Sequence, residues 1–206
     1  MSLRVPQEEL SGLRSRNLNE LAAQIDWSDS AAGFLTERAT FETVLQSVIN
    51  HDLWFDALSL LAHALAPRQS IWWAYSVCCQ WYEVGHATKD DTATSLLDLT
   101  RTWVIEPDDE TRLKLHDLAL AIPNRSPVHW IGMSVFWSTG NITPDAGVVT
   151  APPPYLYARG VSACIDLAAS LAGLSRQEVY LGALAAGIDL AGGGEGRVTF
   201  QGKAQI

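Results

Sequence analysis

Between His51 and Val84 a run of apolar residues at helical spacing is interrupted once, by Pro67. Leu53, Trp54, Ala57, Leu58, Leu61, Ala64 and Leu65 share one side of a helix that carries Asp52, Asp56, Ser59 and His63 on its less apolar side. A proline has no N–H, and its ring clashes with the preceding turn. It fits the first turn of a new helix, where an amide would lack an intrahelical partner anyway. The segment therefore predicts two helices meeting at a tight corner. Ile71, Trp72, Trp73, Tyr75, Val77, Cys78, Cys79, Trp81 and Tyr82 surround most of the second one, which predicts a central helix covered on several sides.

The rest of the chain reads as further helices with local start and stop signals. Thr40, with Thr43 and Glu42 behind it, predicts an N-cap and a helix to about Ile49. Gly85 is a natural stop for the aromatic helix, and Lys89 to Thr92 supplies acidic caps for a helix to about Val104. Pro107 to Glu110 starts another, which Pro123 ends, and Ser126-Pro127 opens an apolar helix stopped by Gly140-Asn141. From Asn141 to Pro154, Gly, Thr, Val and three consecutive prolines favour an extended loop. Helices from about Tyr155 to Leu171 and Ser175 to Leu190 follow, separated by Gly173. The expected fold is all-α: a single-domain irregular helical bundle of about eight helices over residues 17–191, with a flexible leader at 1–16. A Gly-rich flexible tail at 192–206 could add at most a short edge strand from Arg197 to Gln201. At 206 residues the chain is long enough to bury a full core without disulfides.

Charge and composition narrow the function classes. A net charge of -9 opposes a sequence-independent grip on phosphate backbones, so nucleic acid is not an expected partner. The three cysteines, Cys78, Cys79 and Cys164, are an odd count with two in an apolar run, which predicts buried free thiols in a reducing compartment. The N-terminal stretch shows no secretory signal, and no uninterrupted apolar run is long enough to span a bilayer, so the expectation is a cytoplasmic protein without membrane contact. His51, His63, His86, His116 and His129 are scattered singly and never take a metal-ligand spacing. There is no nucleophile elbow, phosphate loop or dinucleotide fingerprint, and Gly192 to Gly196 follows a helix where a phosphate loop follows a strand. The sequence thus assigns no catalytic residue, metal or cofactor.

Two stretches carry a resemblance. One is Leu61-Ala62-His63-Ala64-Leu65-Ala66-Pro67-Arg68-Gln69-Ser70-Ile71-Trp72-Trp73-Ala74, and the other is Val149-Thr150-Ala151-Pro152-Pro153-Pro154-Tyr155-Leu156-Tyr157-Ala158-Arg159-Gly160-Val161. They resemble the patterns LAHALPxRxxxWWA and VPPPPxLxARAVxxAxxLAA of an uncharacterised bacterial domain-of-unknown-function family, from which this chain departs at Ala151 and Gly160. The resemblance, over more than half of the chain, implies a role beside type VI secretion components and brings no activity with it.

Both stretches place a proline corner before a helix with an arginine in its first turns, where the helix dipole disfavours a cation. Arg68 and Arg159 are therefore expected to be held by carboxylates or carbonyls, either as clamps between helix corners or as part of a binding surface. Eight tryptophans exceed what an average composition supplies, so some of them can line a groove as well as fill the core. The expected partner-binding residues are Arg68, Trp72, Trp73, Pro153, Pro154, Tyr155 and Arg159. The function expected from them is a non-enzymatic adaptor or chaperone that binds another protein, such as a secreted effector or secretion component. Alternatives are an immunity protein, a homo-oligomer using the same apolar surface, or an enzyme of unfamiliar design with His63 or His129 in a cleft.

Overall fold

The structure, a computed structural model, describes residues 3–6, 10–84, 89–143, 147–171 and 175–200. Among these residues it holds ten helices and no strand: α1 (Leu18–Ala22), α2 (Asp29–Ala32), α3 (Phe41–Asn50), α4 (Trp54–Ala64), α5 (Pro67–Val84), α6 (Asp91–Ile105), α7 (Asp109–Ala121), α8 (Pro127–Phe136), α9 (Leu156–Ser170) and α10 (Arg176–Ala191). The chain is all-α. The number of helices exceeds the expected eight partly because Ser28 caps a single-turn helix, α2, in a stretch expected to be a loop. The expected stops at Gly85 and Gly173 lie outside the described residues.

Local caps set several helix starts. Thr40 and Thr43 form a reciprocal capping box, and the Asp90 and Asp108 carboxylates accept from the N–H groups of Ala93 and Thr111 at 2.7 Å each. Pro67 and Pro127 occupy first helical positions. The expected central helix, α5, packs against α6, α8, α9 and α10, while α9 packs against α4, α5, α8 and α10. The core thus has two crossing hubs. Close approach of α8 and α9 needs Gly160, where a Cβ would stand 2.3 Å from the Ser134 hydroxyl and 3.2 Å from the Trp130 carbonyl.

The described parts of the two segments expected as flexible extensions, residues 3–6, 10–16 and 192–200, pack against the bundle. Val5 and Leu10 are buried. The backbone N–H of Gly12 donates to the Ala191 carbonyl (2.8 Å), and those of Arg14 and Ser15 donate to the Ala64 carbonyl (2.8 and 3.2 Å). These are carbonyls at the ends of α10 and α4, which no intrahelical donor can reach. The glycine-rich segment is tied down as well: the N–H groups of Gly194 and Gly196 donate to the carbonyl and carboxylate of Asp189, and Val198 and Phe200 are buried. Arg197 to Phe200 forms no strand, and Gln201 lies outside the described residues.

One buried cation was not legible in the sequence. Arg112 is 1% exposed, and its guanidinium donates to the Asp109 carboxylate (2.7 Å) and to the carbonyls of Phe136 (3.0 Å) and Asn141 (3.3 Å). It thereby satisfies the end of α8 and the start of the following loop. Gly140, at φ +75°, makes room for it, since a Cβ there would lie 2.8 Å from the guanidinium carbon.

Arg112→Leu should lower the unfolding free energy by about 3 kcal/mol, because the buried Phe136 carbonyl and the carbonyl of half-buried Asn141 lose their donor. Lys114→Leu, which removes an exposed pair with Glu110, should leave the stability nearly unchanged. Urea unfolding of the two variants measures the contrast, and equal midpoints would contradict it.

Candidate functional site

The corner before Pro67 accounts for its own backbone polarity through distant donors. Pro67 ends the α4 ladder, and the orphaned carbonyls are taken up in turn. Ala62 accepts from the Ser70 hydroxyl (3.2 Å), Ala64 from the N-terminal segment, and Leu65 from the Tyr157 hydroxyl (2.9 Å). Burial pushes the Tyr157 phenol up to about 12, so it stays a donor at neutral pH.

The residues expected to bind a partner divide between several places. Arg68 is exposed, and its guanidinium donates to the carbonyls of Val104 (2.9 and 2.6 Å) and Ile105 (3.2 Å) at the end of α6. There the dipole favours a cation, which answers the unfavourable position of Arg68 on its own helix. Trp72 is half-buried, stacks on Tyr75 with ring centroids 5.2 Å apart, and donates through its indole to the Glu195 carbonyl (3.0 Å). Trp73 is 0% exposed and donates to the Ala183 carbonyl at 2.8 Å. It is a core residue, and the expectation that it lines a binding surface is corrected: the α5 face that carries it is covered by α10. Tyr155 is also buried, in left-handed backbone at φ 63°, with its hydroxyl donating to the Glu20 carboxylate and Arg14 over its ring. Its place on a partner surface is corrected too, because its ring is buried against Arg14 and His63. Pro153 and Pro154 are exposed.

Arg159 is exposed, pairs with Asp26 (2.8 Å) and donates to the Gln24 carbonyl (3.4 Å). It therefore stands at a different cavity from Arg68. The Arg68 depression, of about 350 Å³, is lined by Ala66, Arg68, Gln69, Trp72 and Val104. The Arg159 cavity, of about 160 Å³, has Asp26, Phe55, Ser59, His63 and Ser162 among its walls. The two share no residue, so the expected single groove is two separate features.

His63 gives the second cavity its chemistry. The ring is 2% exposed, and Nδ1 lies 2.7 Å from the Ser59 carbonyl one turn back. A carbonyl only accepts, so Nδ1 carries the proton and Nε2 presents a lone pair. Nε2 is buried with no hydrogen-bond partner among the described residues. Burial lowers the His63 pKa; the Ser59 carbonyl partly opposes this, and the Arg159 cation and the Asp26 carboxylate pull in opposite directions. The other candidate, His129, is structural: Nδ1–H donates to the carbonyls of Ala119 (2.8 Å) and Ile122 (3.1 Å) at the end of α7.

The cysteines are free thiols. Cys78 and Cys164 are buried with their sulfurs 3.4 Å apart, while Cys79 is partly exposed. The hydrogen bond from Cys164 and burial push the Cys78 thiol up, and burial does the same to Cys79. Neither is poised as a nucleophile. Among the described residues no three His, Cys, Asp or Glu side chains gather as metal ligands, and no helix is long and apolar enough to cross a membrane.

Two measurements test this geometry. Below the ordinary imidazole value of 6.5 the unfolded chain binds a proton that folded His63 resists, so its contribution to stability is complete above that pH and is lost as pH falls through the lower folded value. Wild type should lose melting temperature between about pH 7.5 and 5.5 more steeply than His63→Asn, which keeps a donor to Ser59 but does not titrate. Parallel slopes would show that His63 is not held neutral. In thiol labelling of the native protein Cys79 should react slowly and alone, with Cys78 and Cys164 reacting only after denaturation. Rapid native labelling of all three would contradict the burial.

No curated protein and no solved structure matches the chain. Residues 44–191, from α3 to the last residue of α10, match the model of a family of unknown function, DUF6931, and the chain belongs to that family.

Proposed function

We propose that the protein is a non-enzymatic accessory factor, an adaptor or chaperone, that binds another protein through the segment from Gly147 to Pro154. The observation that carries this reading is the exposure of Val148 (64%) and Val149 (85%) on a loop whose backbone is pinned. Asn141 Oδ1 accepts from the N–H groups of Thr143 (3.0 Å) and Thr150 (2.8 Å), and the Ile142 N–H donates to the Thr150 carbonyl (2.9 Å). The Thr143 hydroxyl donates to the Val148 carbonyl at 3.1 Å. With those groups turned toward 141–143, the two valines cannot fold inward to escape water.

Exposed Pro153 and Pro154 extend the apolar strip. Consecutive prolines hold a polyproline conformation at little entropic cost on binding, and aromatic-lined grooves are the surfaces that read it. The net charge of -9 favours a basic partner by steering. A type VI secretion effector or component is the partner that the sequence resemblance suggests. The half-buried Trp72 and the exposed Arg68 form a separate depression that can extend this contact only if the partner spans both. The enzyme reading has one observation in its favour, the cavity lined by His63, whose pKa burial lowers.

A photo-crosslinking amino acid at position 149, beside a control at the exposed Glu110, tests the reading in cells that make the protein. The expected result is one discrete heterologous adduct at 149 and none at 110. An adduct of twice the chain mass would replace the adaptor with a homo-oligomer, and no adduct at 149 would overturn the assignment of this segment. Val148→Asp with Val149→Asp should weaken the interaction by roughly tenfold or more with no loss of helicity by circular dichroism.

A further inference from the structure

Two buried polar side-chain atoms lack a partner among the described residues, the Nε2 of His63 and the Nε1 of Trp81. A buried polar group left unpaired is costly, and native chains rarely keep one without a use for it. Trp81 lines none of the cavities described above, whereas His63 lines one. Its Nδ1 is turned back onto its own helix, which leaves Nε2 on the far edge of the ring as an acceptor waiting for a donor.

We infer that the cavity between α4, α9 and the segment after α1 is a binding site for a small uncharged molecule of about one ring in size that donates an O–H or N–H to His63 Nε2. Four observations set that chemistry. The volume of about 160 Å³ is close to the cavity of about 150 Å³ that takes a single benzene ring. Ile25, which is buried, and Phe55, which is 45% exposed, give the cavity apolar and aromatic walls. Arg159 and Asp26 neutralise each other at 2.8 Å, so the cavity offers no net charge to an ion. The lone pair on Nε2 is kept available because burial opposes protonation of the ring, while Arg159 and Asp26 act on it in opposite directions. A neutral phenol-like or amide-like donor meets all four conditions, and an anion or a cation meets one charge of the pair while it opposes the other.

This site is independent of the 147–154 segment, so its failure would leave the protein-binding reading intact. The test uses the full chain with phenol as the donor probe and anisole as a probe of similar shape without a donor. Phenol should raise the melting temperature and shift the ¹⁵N resonance of His63 Nε2, and anisole should bind roughly tenfold more weakly without that shift. The comparison is made on wild type, so no variant has to fold for it to count. His63→Asn, which lacks an acceptor at the Nε2 position, should bind phenol no better than anisole. Equal binding of the two probes to wild type, or an unmoved Nε2 resonance at about 10 mM phenol, would overturn the assignment.

Discussion

The last carbonyls of a helix have no intrahelical donor, and much of this structure is organised by where those donors come from. The Pro67 corner ends the α4 ladder, and Ser70, the N-terminal segment and Tyr157 supply donors to the carbonyls of Ala62, Ala64 and Leu65 there. The end of α6 is closed by Arg68, that of α7 by His129 and that of α8 by Arg112. The end of α10 takes Gly12. Each of these bonds joins a helix end to another part of the chain, so satisfying the backbone also fixes how the helices sit against one another. A buried carbonyl without a donor costs about as much as several surface ion pairs are worth, which is why these contacts outrank the exposed salt bridges.

This explains why Trp73, expected on a binding surface, is a core residue. An aromatic with a polar edge can fill the core and donate at the same time. Trp73 does so to Ala183, and Tyr157 does so to Leu65. Arginines with several donors in one plane suit the cluster of carbonyls at a helix end, as Arg68 and Arg112 both show. Among the features that this network leaves without a protein partner are the exposed Val148 and Val149 on a pinned loop and the Nε2 of His63.

The match to the family spans 44–191, yet the segments on either side are integrated into the packing. Leu10, Leu21 and Ile25 are buried, and Asp26 and Gln24 line the His63 cavity beside residues from inside the matched region. The cavity is therefore a joint product of the matched helices and the segment before them. Val198 and Phe200 cover α10 from the other end, where Gly182 leaves room for the Phe200 ring.

By itself the sequence determined most of the helices, most of their starts and the Pro67 corner, because caps, prolines and apolar spacing act within a few residues of themselves. It also required that Arg68 find carbonyls or a carboxylate, without naming them. Only the tertiary structure decided that those carbonyls belong to Val104 and Ile105, 36 and 37 residues away, and that Tyr157 answers Leu65 across 92. It alone buried Trp73 and Tyr155, drew the N-terminal segment onto Ala64 and Ala191, and left His63 Nε2 without a donor. Such pairings depend on how whole helices cross. Crossing is set by the summed packing of faces, to which no short stretch of sequence holds the key.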